Sequence, residues 1–415
     1  MDSLADYRRM GIEADVVLRL GMMLMGAGTS GYRVLRAMKR TARAVGFDQL
    51  DAVVGVTQIT VTFHRGEHFR TIVAQQNPPT VDASRIEALE DLTHNRLYYG
   101  ISAYELTTLL DEIEHNVRKR WNIGVLCLAA AFACAAFALL NFFPWNFAII
   151  VGISAACGQL VRGLLHRCHI NQLGCIVMAG LSASLSYFLL APESYAPGYI
   201  AAVLFLIPGF PLFSALIDLA RFDLDAGISR LVYSLTIIGV AAFTVALISW
   251  GTGLSPDLPP QESNLNWYLV AAGASFVGIA GFAFLFNSSR RMVLVAALVG
   301  TIANMARLGI IVLGATDYVA AFAGGLIVGL LGAVVARWTS LPRITTTVPA
   351  AVIMIPGTAI FRSVYYFTTG QMDQALSFAS TAMMFIVAIG CGLVAARMFS
   401  DRDWTIGRHI DFSRR

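Results

Sequence analysis

The sequence predicts a polytopic α-helical membrane protein: ten transmembrane helices in two inverted five-helix repeats, preceded by an N-terminal cytoplasmic α+β domain. Three observations carry that expectation. The chain is 57% hydrophobic over 415 residues, yet residues 1–120 hold 15 basic and 15 acidic side chains and the other 295 only 15 and 11. Apolar runs of bilayer length then recur to the C-terminus. Finally, Ile207-Pro208-Gly209 and Ile355-Pro356-Gly357, 148 residues apart, put the same break near the centre of two of those runs. Proline removes a helix hydrogen bond and glycine tolerates unusual dihedrals, so each run is expected to unwind mid-membrane. Paired interruptions at matching places in two halves point to a transport site.

The head, residues 1–120, opens with two amphipathic helices. Ile12, Val16, Leu20, Met23, Leu24 and Ala27 form one stripe, and Leu35, Met38, Ala42 and Val45 repeat it after the Gly28 to Gly31 turn. From Asp51 to Phe63 the run is rich in Val, Ile and Thr and reads as a strand, turned by Arg65-Gly66-Glu67 into a partner through Val73. Asn77-Pro78-Pro79 ends the hairpin, and helices are expected at about 84–96 and 102–118. Ser30, Asp51, His64 and His68 share no spacing that imposes a nucleophile, base and orienting acid. The Gly26 to Gly31 stretch lacks the preceding strand and following Lys-Ser/Thr of a phosphate cradle, and reads as a turn. With no basic stretch leading into an apolar h-region, the head is expected to stay where it is made.

Ten spans follow, at about 121–140, 146–165, 171–190, 198–218, 228–250, 267–286, 291–313, 317–336, 346–367 and 374–396. The first repeat covers 121–250 and the second 267–397, with a cytoplasmic tail at 398–415. With the head inside, inner loops carry Arg162/Arg167, Arg221/Arg230, Arg290/Arg291 and Arg337/Arg343, and the tail carries Arg397, Arg402, Arg408, Arg414 and Arg415. Outer segments hold no basic residue except Arg362, so both termini are expected in the cytoplasm. Each Pro-Gly break falls in the fourth of five spans, Asp225 and Asp373 follow their glycines by sixteen residues, and Gln159-x-x-Arg162 matches Asn304-x-x-Arg307. Five is odd, so the second copy enters from the opposite side and the halves are related by a two-fold axis in the membrane plane.

The expected substrate path is Pro208, Gly209, Pro211, Pro356 and Gly357, with Gln159, Asn304, Arg307 and Arg362 beside it. Arg362 lies five residues after Gly357, roughly 7.5 Å along a helix at 1.5 Å per residue. An arginine there needs a partner or water, and it either holds a substrate carboxylate or snorkels. Gln159 and Asn304 coordinate a polar solute or cross-link helices. The six cysteines lie in or beside apolar runs without metal spacing, so neither metal nor cofactor is expected. The charge balance argues against nucleic acid, and no catalytic constellation supports an enzyme. The alternative reading is a receptor or channel-like protein whose cytoplasmic head senses a ligand. A homo-oligomer is left open.

These residues resemble one known family, the threonine/serine exporters, which include two-component exporters implicated in succinate efflux. The marks are Gly26-Ala27-Gly28-Thr29-Ser30, Ile207-Pro208-Gly209-Phe210-Pro211-Leu212, Asp218, Gly227 and Arg230. In the second half they are Arg307, Arg337-Trp338, Pro342, Pro349 and Ile355-Pro356-Gly357. The resemblance implies a cytoplasmic-membrane exporter of small amino acids or dicarboxylates, driven by the proton-motive force. It also implies that two chains of some relatives are fused here.

Overall fold

The structure is a computed structural model that describes residues 2–117, 120–191, 197–257 and 264–406. The tail arginines Arg408, Arg414 and Arg415 lie outside the described residues. The chain divides into two compact units. One combines Met1–Arg120, Phe210–Tyr233 and Arg397–Arg415; the other combines Trp121–Gly209 and Ser234–Ala396.

In the first unit, α1 (Asp2–Gly26) and α2 (Gly31–Val45) are the two amphipathic helices. Their link is a turn: Gly28 takes a φ of +85°, open to glycine at little cost, and donates its amide to Met25 at 2.9 Å. A three-stranded antiparallel meander follows, β1 (Gln49–Val54), β2 (Gln58–Arg65) and β3 (His68–Gln75). The single strand read across 51–63 is therefore two. Gly55 donates to the Gln58 carbonyl at 2.8 Å and reverses the chain inside a Val-rich run, where composition alone signals continuity. Register pairs Leu50 with Phe63 and Val61 with Ile72, so one face presents Leu50, Ile59, Val61 and Phe63. That face is buried with Val17, Leu20, Leu24 and Met38 of α1 and α2, each such side chain stabilising by roughly 1.5–3 kcal/mol. Helices α3 (Ala83–Asp91) and α4 (Ala103–Asn116) complete the core, started by side-chain caps from Asp82 and Ser102.

Among the described residues, eight helices are long and apolar enough to cross a membrane: α5 (Ile123–Leu140), α6 (Trp145–Arg167), α7 (Gln172–Leu190), α10 (Leu224–Thr252), α11 (Leu265–Leu285), α12 (Arg290–Val312), α13 (Asp317–Thr339) and α16 (Met372–Ser400). Two further pairs qualify together but bend sharply. Gly198–Leu206, which contains the short helix α8 (Gly198–Ala201), meets α9 (Gly209–Leu219) at 61°; α14 (Arg343–Val352) meets α15 (Gly357–Thr368) at 56°. This is a polytopic helical membrane protein. Short α17 (Arg402–Thr405) follows α16.

The two sets of helices share their punctuation. Phe142 and Asn287 end α5 and α11 in the left-handed region, and His169 and Gly314 do so after α6 and α12, each pair 145 positions apart. Phe222 and Gly370 repeat it before α10 and α16, 148 positions apart. Gly180 of α7 packs on Thr244 of α10, while Gly325 and Gly392, at the corresponding positions of α13 and α16, pack on each other.

Candidate transport site

Each break is built the same way. Ile207 donates its amide to Leu204 (3.1 Å) and Ile355 to Val352 (3.0 Å), a tightened turn in place of the helical pattern. Proline then contributes no amide, and the glycine after it reaches back two residues, Gly209 to the Ile207 carbonyl (2.9 Å) and Gly357 to that of Ile355 (2.8 Å). Pro356 sits at φ −77°, ψ 65°, the inverse γ-turn, which turns the chain by a three-residue ring instead of extending the helix. A proline at the cap position offers no side-chain acceptor, so α15 starts without a side-chain cap. Pro211 falls in the first turn of α9, where a missing amide costs nothing. Near the first break the Cys134 thiol faces the Ala202 carbonyl at 3.8 Å, a packing cysteine that also serves a carbonyl.

The breaks pack against each other by their glycines. A Cβ on Gly209 would lie 2.6 Å from Val352 and 3.3 Å from Ile355; one on Gly357 would lie 2.7 Å from Leu204 and 2.8 Å from Ile207. Val352 and Ile355 stand five and two residues before Gly357, and Leu204 and Ile207 stand five and two before Gly209. The contact is reciprocal, each glycine seating in the same two positions of the other break, which is the pattern a two-fold axis imposes. At this crossing each glycine lets side chains of the other break pack directly on its backbone.

The polar residues fall into two groups. Asn304, buried in α12, donates to Ser275 Oγ of α11 (2.8 Å) and accepts from Arg307 Nε (2.9 Å). Gly324 of α13 faces both Arg307 and Met354, which sets Arg307 beside the approach to the second break. Gln159 occupies the corresponding place in α6, and its buried Oε1 has no partner among the described residues. An unmet buried acceptor costs about 1–3 kcal/mol, so Gln159 holds binding capacity that Asn304 has already used.

Arg362 belongs to the second group, midway along α15. Its Nε donates to the Pro256 carbonyl (2.9 Å), its guanidinium lies 5.4 Å from the Phe378 ring centre, and its Nη2 has no partner among the described residues. Tyr366, one turn on, stacks on Phe378 at 5.6 Å and 7° and donates its hydroxyl to Asp257. Asp257 lies in the link after α10, and the Tyr366 hydroxyl, then Ser255 and the charge of Arg362, hold its carboxyl below the usual carboxylate range. Helix α8 touches α15, and brings the wholly buried Tyr199, its hydroxyl beside Ser249, within electrostatic reach of Arg362 and Asp257. Sequence reading missed Tyr199 and Asp257, since an apolar-run tyrosine and a loop acid give no pattern. Leu204 and Val352 were within reach of the repeat offset.

The first unit holds a counterpart to Tyr366 and Phe378. Those residues follow Gly357 by 9 and 21 positions; Asp218 and Arg230 follow Gly209 by the same 9 and 21. They form a salt bridge whose side chains are 0% and 4% exposed, and Asp218 also accepts the Gly31 amide of α2 (3.1 Å). A Cβ on Gly31 would lie 2.6 Å from Ala226, so the turn that predicted only a helix junction is fitted to this pair. Ser30 Oγ has no partner and His64 approaches Asp51 only at 3.7 Å, so Ser30, Asp51 and His64 make no hydrolytic triad.

Comparison with known families decides the identity. The family described as "Putative threonine/serine exporter" matches residues 15–249, more than half of the chain, and "Threonine/Serine exporter, ThrE" matches 271–399. The chain belongs to the threonine/serine exporter family. Family members are exporters rather than enzymes. Among its exporter relatives is the "Probable threonine/serine exporter" of Mycobacterium tuberculosis, 22% identical over 412 residues, covering 92% of this chain and 75% of that one. The "Probable succinate transporter subunit YjjP" of Escherichia coli is 22% identical over 241 residues, 56% of this chain and 93% of the relative, and that of Klebsiella aerogenes is 21% identical over the same length. No solved structure matches the chain.

Proposed function

We propose that the protein is a secondary active exporter of small carboxylate-bearing metabolites, threonine and serine or a dicarboxylate such as succinate, across the cytoplasmic membrane. Its halves are inverted repeats of five spans, each with one span bent at Pro-Gly, and both termini face the cytoplasm. The reciprocal seating of Gly209 and Gly357 is the observation that carries this reading. Two identical breaks crossing about a two-fold give one site that either half can open by the same motion, which is the geometry of alternating access. The matched helix ends and the equivalent pairs at positions 9 and 21 after each glycine support the repeat, and the distribution of arginines supports the orientation.

In this mechanism Pro208, Gly209, Pro211, Pro356 and Gly357 shape the path. The uncapped amide end of α15 attracts an anionic group. Gln159 offers an acceptor to the hydroxyl or ammonium of the solute, while Asn304 holds Arg307 at the approach. Arg362 receives the carboxylate on the outer side. The names of the relatives span threonine/serine and succinate, so the shared chemistry is the carboxylate. Efflux of labelled threonine, serine and succinate from loaded cells tests the reading. Faster loss of at least one of them is expected when the chain is produced, and equal loss of all three with and without it would overturn the proposal.

A further inference from the structure

We infer that Tyr199, Arg362 and Asp257 form a second station for the transported solute, outside the crossing of the breaks, that recognises a carboxylate carrying an adjacent cationic nitrogen. The inference rests on the exporter reading and adds to it where, and by which groups, charge is selected.

Arg362 Nη2 has no acceptor among the described residues, and the buried Tyr199 hydroxyl, beside Ser249, lies within electrostatic reach of Arg362; the two come from α15 and α8, the halves of the two broken spans that touch each other. Arg362 is already anchored through Nε to Pro256 and by its guanidinium against Phe378, so its free nitrogen is held in place. A held guanidinium nitrogen with a phenol hydroxyl within electrostatic reach suits a carboxylate, whose two oxygens take about four donors.

Asp257 supplies the opposite sign. Its two oxygens each accept one hydroxyl, from Tyr366 and from Ser255 (2.8 Å), which uses about half of their capacity and leaves acceptor sites for an ammonium. Those hydroxyls also fix the carboxylate. Arg362 donates to the neighbouring Pro256 carbonyl instead of pairing with this acid, so positive and negative groups are presented side by side to one ligand. A dicarboxylate would satisfy Arg362 and Tyr199 but bring its second charge toward Asp257, and like charges in a half-buried site repel.

Saturable counterflow of labelled serine and succinate in proteoliposomes of the full chain tests the station. Asp257→Asn is expected to raise the KM for serine about tenfold, the scale of one hydrogen bond to a charged group, while the KM for succinate stays level or falls. Tyr199→Phe is expected to raise the KM for both about tenfold with kcat retained. A serine-to-succinate KM ratio that Asp257→Asn shifts by less than twofold overturns the station alone. Wild-type vesicles without saturable flux of either solute overturn the exporter reading and the station with it.

Discussion

Gly209 and Gly357 are constrained by what faces them rather than by their own dihedrals. A methyl on Gly209 would enter the Val352 side chain at 2.6 Å, closer than Cβ atoms pack, so Gly209→Ala is expected to lower flux at least tenfold. Trimming the obstacle provides the check: Gly209→Ala with Val352→Ala is expected to recover much of it, since residues in contact couple. A double variant as slow as the single one would mean that the glycine matters for some reason other than the crossing. The Asp218–Arg230 pair offers a second residue-level test. Both side chains are buried, so removing one partner weakens the compensation of the charge that remains. Asp218→Asn is expected to lower the unfolding temperature in detergent, and adding Arg230→Met to restore most of it. Equal loss in both variants would contradict the pairing.

At the scale of elements, each half-helix after a break is tied down nine residues on. In α9 the tie is ionic, Asp218 to Arg230; in α15 it is aromatic and polar, Tyr366 to Phe378 and Asp257. The second tie has a defined pH dependence. Because the folded Asp257 carboxyl sits below its ordinary value of about 3.9, its stabilisation is fully present above that value and is lost as pH falls through the folded pKa. The stability difference between the wild type and Tyr366→Phe is therefore expected to be constant from pH 8 to 5 and to shrink only in stronger acid. A difference that changes between pH 8 and 5 would argue that another group controls the tie. Much at this scale was legible in the sequence. The helices of the head followed from their stripes, and the two breaks from Pro-Gly alone, because proline and glycine act through local backbone chemistry. The strand run from Asp51 to Phe63 misled for the converse reason: Gly55 turns the chain among residues whose composition favours a strand.

For the whole molecule, matching offsets are what sequence carried furthest. The 145-residue offset between Gln159 and Asn304 recurs in the helix-ending residues at 142 and 287 and at 169 and 314, and the 148-residue offset between the two glycines recurs at 222 and 370. What no offset could supply was difference within the equivalence. Gln159 keeps an unmet acceptor while Asn304 is bonded on both sides, and Tyr199 reaches the Arg362 cluster through a contact between distant spans. Such asymmetries depend on tertiary neighbours, so they emerge only from coordinates.

The crossing of the two breaks is tested most directly by counterflow of labelled serine, threonine and succinate in proteoliposomes of the purified chain carrying Gly209→Leu or Gly357→Leu. Wild-type vesicles are expected to show saturable flux of at least one solute, and each leucine variant to lose it more than tenfold while still inserting in the bilayer. Undiminished flux with leucine at either glycine would contradict a transport path built on that crossing.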